Sequence, residues 1–253
     1  MTESATVRIA AMADIHYKRI PDESFQPIFL EAAKNADALL LCGDLTDYGL
    51  PEEAELVVKD LAAVKIPVLT VLGNHDYESG REAEVRTVLE KANVKVLDGE
   101  STIVAGVGFA GAKGFCGGFG KRMLEPWGES AIKEFVKEAI DETLKLETAL
   151  ARLRTERRIV LLHYAPIQAT VEGEPPEIFA YMGSGRLEDP INRYGADAVF
   201  HGHAHRGAAE GATSKGIPVF NVSASLLRRQ FPERPPYRIF EVENGDGATS
   251  GVR

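Results

Sequence analysis

PVLTVLGNHD, residues 67–76, is the stretch on which the reading of this chain turns. Val68, Leu69, Val71 and Leu72 form an apolar, partly β-branched run of strand length. It stops abruptly at Gly73-Asn74-His75-Asp76, where three consecutive side chains are able to bind a metal or move a proton. In an open sheet whose connections are helices, the loops at the carboxyl ends of parallel strands face a common crevice, and ligands sit there. Glycine at 73 allows the backbone a sharp exit from the strand. Asn-His-Asp alone is equally a polar turn after a strand, so the other strand tips must decide.

Upstream, residues 37–42, DALLLC, read as a second apolar strand that closes with Gly43-Asp44-Leu45-Thr46-Asp47. Asp44 is read as a metal ligand and Asp47 as a helix cap. Residues 6–12, TVRIAAM, read as a first strand leading to Asp14-Ile15-His16. An extended backbone there would point Asp14 and His16 the same way, although Asp-x-His is also compatible with a surface turn. Helical patterns over 24–35 and 51–64 separate these strands, and the resulting β-α-β-α-β series implies parallel order with right-handed crossovers.

Downstream, a helix is expected over 81–92, with short strands over 94–97 and 101–105. Gly106 to Gly111 matches G-x-G-x-x-G, but the glycine-rich AKGFCGGFGK that follows is unsuited to the helix a dinucleotide fingerprint needs, so a nicotinamide site is rejected. Gly120-Lys121 fails as a phosphate loop, because Phe115 and Arg122 stand where glycine and Ser/Thr are required. Residues 111–128 read as an irregular surface loop, with Phe115, Phe119 and Trp127 either packing or rimming a substrate site. Residues 129–154 carry apolar side chains at three- and four-residue intervals, a core-covering helix. A strand over 159–162 ends at His163, and one beginning at 198–200 ends in His201-Gly202-His203-Ala204-His205. Strands over 218–222 and 237–242 close the fold.

At 253 residues, 44% hydrophobic and 26% charged, the composition is that of a globular protein, read as one domain over 1–243 with a flexible tail over 244–253. No apolar run approaches the roughly 20 residues of a membrane span, and no basic segment leads into a long apolar one at the amino terminus, so a cytoplasmic location is expected. Cys42 lies inside an apolar strand and is read as a packed free thiol; neither it nor Cys116 has a second cysteine nearby to form a zinc knuckle. A formal charge of -9 argues against extended contact with nucleic acid. A small anionic substrate remains compatible, because bound metals would reverse the local field.

All six histidines, at 16, 75, 163, 201, 203 and 205, fall at or just beyond the ends of expected strands, and none is scattered over helices. Together with Asp14, Asp44 and Asn74 they supply nitrogen and oxygen donors without thiolate, a set suited to manganese, iron, zinc or nickel. Asp14-x-His16, Gly43-Asp44, Gly73-Asn74-His75-Asp76, His163 and Gly202-His203-x-His205, in that order, resemble the five motif blocks of the calcineurin-like metallophosphoesterases. The resemblance spans residues 7 to 205 and implies an α/β fold of four layers, an α/β/β/α sandwich of two mixed sheets flanked by helices.

The same resemblance implies that Asp14, His16, Asp44 and His205 hold one metal ion and that Asp44, Asn74, His163 and His203 hold a second, with Asp44 bridging. Two divalent or mixed-valence ions about 3.5 to 4 Å apart lower the pKa of a shared water and neutralise phosphoryl charge. The activity implied is hydrolysis of a small phosphoester, a diester in preference to a monoester, by a metal-bridging hydroxide. His75 would protonate the leaving group and Asp76 would hold its ring. His201 and Arg206 are left without a role. A monoesterase or a nuclease of the same family, or a non-catalytic interaction scaffold, are the alternatives. The sequence leaves the oligomeric state open.

Overall fold

The computed structural model describes residues 6–20 and 23–243; the expected tail over 244–253 lies outside them. Along the chain run β1 (Thr6–Met12), α1 (Gln26–Asn35), β2 (Ala38–Cys42), α2 (Pro51–Leu61), β3 (Val68–Val71), α3 (Glu82–Lys91) and β4 (Val94–Val96). The hairpin β5 (Glu100–Val104) and β6 (Val107–Gly111) precedes the long α4 (Ser130–Arg152) and β7 (Arg158–Leu161). Then come α5 (Phe179–Met182), α6 (Glu188–Tyr194), β8 (Ala198–His201), β9 (Glu210–Ala212), β10 (Pro218–Asn221), α7 (Ala224–Gln230) and β11 (Arg238–Glu243).

The strands form two mixed sheets, of order β11-β1-β2-β3-β4 and β5-β6-β7-β8-β10-β9. Within the first, β1 to β4 are parallel and β11 returns antiparallel on β1. Within the second, β6, β7, β8 and β10 are parallel, and β5 and β9 are antiparallel edges. Side-chain alternation explains the layering. On β1 and β2, Ile9, Ala11, Ala38, Leu40 and Cys42 meet Phe109, Ile159, Leu161, Phe200 and Val222 of the opposite sheet. Their neighbours Ala10, Met12, Leu39 and Leu41 turn instead to α1, α2 and α3. The outer face of the second sheet packs Val160, Leu162 and Val199 against Leu146, Leu150 and Ile191 of α4 and α6. The result is the expected α/β/β/α sandwich, in which β2 is buried on both faces and therefore reads as an unbroken apolar run.

The sheets also touch through backbone. Ala13 N–H donates to the Val222 carbonyl at 2.9 Å, and Ala224 N–H donates to the Ala13 carbonyl at 2.9 Å. This seam joins the carboxyl end of β1 to that of β10.

Three points differ from or add to the expectations. Val107–Gly111, assigned no element from its sequence, is strand β6, and glycine there is what the neighbours require: a Cβ on Gly108 would lie 2.2 Å from Thr155 Oγ1, and one on Gly111 2.6 Å from Leu97 Cβ. Residues 111–118 are largely buried and not a surface loop, with Gly117 and Gly118 N–H groups bonded to the carbonyls of Ala180 and Gly183. Phe115 there packs on Phe135 and Tyr164, while Trp127 is 73% exposed. Helices α6 and α7 were not anticipated, being only seven residues each and too short for a clear period.

Candidate metal centre

Six of the seven expected ligands fall into groups whose donor atoms lie within 4.8 Å of one another: Asp14, His16 and His205; His16, Asp44 and His75; Asp44, His163 and His203. The seventh, Asn74, places Oδ1 2.9 Å from His163 Nε2. Asp14 and His16 follow β1, Asp44 follows β2 and Asn74 follows β3, so the first sheet supplies the oxygen donors and one histidine. His163 follows β7, and His203 and His205 follow β8, so the second sheet supplies the remaining imidazoles. Ladder-like bonds continue past the strand ends, with Asp14 N–H on the Gly43 carbonyl at 3.1 Å and His16 N–H on the Asp44 carbonyl at 3.0 Å.

The backbone is left-handed at Asp14 (φ 58°), His16 (φ 42°), Asp44 (φ 51°) and His203 (φ 68°). Asp14 and His16 therefore do come together, but through a kinked backbone and not through the extended one their spacing implied. Non-glycine residues in this region cost energy and persist where surrounding structure enforces them, commonly at functional sites. Three glycines enforce the approach. A Cβ on Gly43 would lie 2.5 Å from His163 Nδ1, one on Gly73 2.2 Å from Asp44 Oδ1, and one on Gly202 2.6 Å from Asp14 Oδ2.

Hydrogen bonds fix the orientation of each ring. His163 Nδ1–H donates to the Cys42 carbonyl at 3.0 Å, which leaves the Nε2 lone pair facing Asn74 Oδ1 at 2.9 Å and Asp44 Oδ1 at 3.4 Å. His203 Nε2–H donates to the Tyr181 carbonyl at 3.1 Å, which frees Nδ1. Both ring nitrogens of His16 are buried without a hydrogen bond, although Asp47 Oδ1 and Asp44 Oδ2 lie 3.3 and 3.7 Å away. Buried carboxylate oxygens converging beside imidazole nitrogens that no hydrogen bond satisfies are what a cation would satisfy. The donor set thus fits divalent metal.

The electrostatics agree with that reading. Burial pushes His163 well below the ordinary histidine range and brings His203 down to about 4, so both rings are neutral, as ligands must be. Burial opposes charge on Asp14, but the hydrogen bond and charge of His205 hold its carboxyl below the usual range. Burial, reinforced by the Asp14 and Asp76 carboxylates, lifts Asp44 well above it. A buried carboxylate facing two others calls for positive charge beside it.

Asp76 does not hold the His75 ring. Its buried carboxylate accepts from Gly73 N–H (2.8 Å), Thr46 N–H (2.9 Å), Thr46 O–H (2.7 Å) and Leu45 N–H (3.3 Å), pinning the loop after β3 to the loop after β2. The ring is held by Asp47, whose carbonyl accepts from His75 Nδ1–H at 2.7 Å. Asp47 is thus a site residue and not a cap; α2 begins at Pro51, after Leu50. The only sequence signal for it was its position three residues past Asp44. His201 is fully buried, with Nδ1 2.8 Å from the Gly202 carbonyl and Nε2 2.8 Å from Thr170 Oγ1, and it packs beneath the centre. Arg206 is exposed, and its backbone N–H donates to Glu174. A further contact comes from α7, where Arg229 donates to the His205 carbonyl at 3.0 Å.

Fold and centre together define a metal-dependent phosphoesterase. The chain belongs to the calcineurin-like phosphoesterases, whose family pattern matches residues 7–207. Among solved structures it is similar to phosphopantetheinyl hydrolase from Mycobacterium tuberculosis, with 14% identity, 94% of this chain and 96% of that one covered and a TM-score of 0.68. The protein TT1561 of Thermus thermophilus is similar at 16% identity, with coverage of 94% and 99% and a TM-score of 0.54. A putative 5'-nucleotidase from Staphylococcus aureus is similar at 16% identity, with 86% of this chain and 48% of that one covered and a TM-score of 0.53. No curated protein sequence matches significantly. Among the described residues no helix is long and apolar enough to cross a membrane.

Proposed function

We propose that this protein hydrolyses phosphodiesters at a pair of metal ions, one held by Asp14, His16, Asp44 and His205 and the other by Asp44, Asn74, His163 and His203. The observation that supports the reading best is the position of Asp44 between the two ligand sets, with Oδ2 3.7 Å from His16 Nε2 and Oδ1 3.4 Å from His163 Nε2. When bound, such ions lower the pKa of water and offset charge on the phosphoryl oxygens. The remaining work belongs to the chain. Asp14, accepting His203 N–H at 3.1 Å, and Asp44, accepting His75 N–H at 2.9 Å, are fixed before substrate arrives, so little reorganisation is needed. His75, half-exposed and oriented by the Asp47 carbonyl on its Nδ1–H, would in its doubly protonated form donate the Nε2 proton to the leaving oxygen and return to the neutral Nδ1–H tautomer. A poor alkoxide leaving group needs that proton most, which is the basis for favouring diesters.

The test is turnover of bis(p-nitrophenyl) phosphate by protein loaded with manganese, iron, zinc or nickel, with Asp44→Asn alongside. Metal-dependent hydrolysis lost by at least a hundredfold in Asp44→Asn is expected; full activity in that variant overturns the shared-ligand assignment. The same assay with a p-nitrophenyl monoester, and a gel assay on single- and double-stranded nucleic acid, separates a monoesterase and a nuclease from the reading given.

A further inference from the structure

Beside the metal centre lies a cleft of about 250 Å³, lined by Asp14, His16 and Asp47 of the centre and by Phe25, Ser225 and Arg228 outside it. Lys18 and Glu23 complete its charged wall. Arg228 and Lys18 are the cations of this cleft, among the carboxylates of Asp14, Glu23 and Asp47. Arg228 is placed by two contacts. Its guanidinium sits over the Phe25 ring, 5.2 Å from the centroid, and Nη1 pairs with Glu23 Oε1. Phe25 is 4% exposed and so is a fixed platform near which the guanidinium is held. The Glu23 pair is a different matter: both side chains are more than two-fifths exposed, and ion pairs so exposed contribute little and exchange readily. Arg228 is thus held near an aromatic face and only loosely committed to a carboxylate. A guanidinium fork in that state is suited to a phosphate, which it engages bidentately and more strongly. At about 250 Å³ the cleft has room for a phosphate-sized group next to the centre.

We infer that this cleft is a second-anion subsite, in which Arg228 recognises a phosphate carried by the substrate beyond the scissile phosphoryl group. The inference rests on the phosphodiesterase reading of the adjoining centre and deepens it: the substrate class is a phosphodiester bearing a second phosphate, not a diester with a neutral head. Glu23 then serves as a placeholder that the incoming anion displaces.

The test uses matched chromogenic diesters, p-nitrophenyl ethyl phosphate and p-nitrophenyl 2-phosphonoethyl phosphate, with metal-loaded wild type, Arg228→Gln and Arg228→Lys. Wild type is expected to favour the phosphonate-bearing diester by about tenfold in kcat/KM, expressed through KM, as one charge-assisted pairing supplies. Arg228→Gln brings the ratio of the two substrates near one, and Arg228→Lys keeps part of it. An unchanged ratio in Arg228→Gln, or no preference in wild type, overturns the subsite. A second arm needs no turnover: calorimetric binding of propane-1,3-bisphosphonate against propylphosphonate, with about tenfold discrimination in wild type that Arg228→Gln loses. If neither diester is hydrolysed while this discrimination holds, the phosphodiesterase reading falls and the subsite stands. Equal discrimination by both proteins removes the subsite whatever the activity.

Discussion

His75 donates its Nδ1–H in a hydrogen bond to the Asp47 carbonyl, and that bond determines which way its other nitrogen faces. Replacing it with alanine is expected to slow alkyl phosphodiesters by roughly 10² to 10⁴, the usual worth of a positioned general acid, while sparing esters with a good aryl leaving group. Equal loss on both classes removes the donor role. Asp76, by contrast, takes four donors away from water. Asp76→Ala should cost about 3 kcal/mol or more in urea unfolding, because buried donors left unpaired each carry a desolvation penalty. His201 sets a pH dependence. Burial lowers it to about 4 in the folded protein against 6.5 unfolded, so below pH 6.5 the unfolded chain binds the extra proton. The stability it contributes is complete above pH 6.5, declines as pH falls, and is gone near pH 4, a loss of about 3 kcal/mol. Chelator-treated protein melted across that range should show the slope, and a His201→Gln variant should flatten it. At this scale the residue types were legible in the sequence, but partnerships were not. Adjacency in the chain paired Asp76 with His75, whereas the structure gives the ring to a carbonyl 28 positions earlier, which no side-chain pattern announces.

Each strand tip works only because the element behind it can approach its neighbours closely. Gly73→Ala would drive a methyl group to within 2.2 Å of Asp44 Oδ1 and 2.7 Å of His163 Cε1. Since φ at Gly73 is not in the left-handed region, alanine carries no intrinsic backbone strain there, but its methyl would also stand 2.4 Å from the Asp44 backbone N, so the loops after β2 and β3 must move apart. Metal affinity, read by calorimetry, should drop by about 10- to 100-fold, as displaced ligand geometry usually costs. Native affinity in that variant places Asp44 outside the metal set. The long elements were readable because α4 buries one face with a clear period and the central strands β1 and β2 are apolar runs bounded by polar residues. β6 was not, because a strand written Val-Gly-Phe-Ala-Gly has weak intrinsic preference and is held by tertiary contact alone. The segment after it hides a further device. The Lys113 carbonyl accepts both His163 and Tyr164 N–H groups, at 3.0 and 3.1 Å, and its ammonium lies against the rings of Tyr77, Phe115 and Tyr164.

The sandwich divides its proposed ligands between two sheets, so ions bound there add to the apolar packing and the backbone seam that join the halves of the molecule. Removing them should lower the melting temperature. Ions present at about 100 times their dissociation constant add about 2.7 kcal/mol, which for a chain of this size corresponds to roughly 5 to 10 °C. Differential scanning calorimetry before and after chelation checks it, and a chelator with no effect argues against cross-sheet ligation. The two-sheet architecture itself was reached through motif order. Periodicity gave strands but could not say that β5 to β10 leave the first sheet, because that choice is made by contacts between segments far apart along the chain.

Ala13 has one more consequence. Beneath the charged rim, peptide groups knit the two sheets, the Ala13 amide and carbonyl meeting the Val222 carbonyl and the Ala224 amide while the Ala13 methyl faces Gly202. That floor asks only for smallness. Acids and imidazoles overhead can therefore be exchanged for other functional groups without unpicking the weave that carries them, which makes this rim a place where new reactions can be tried on an unchanged foundation.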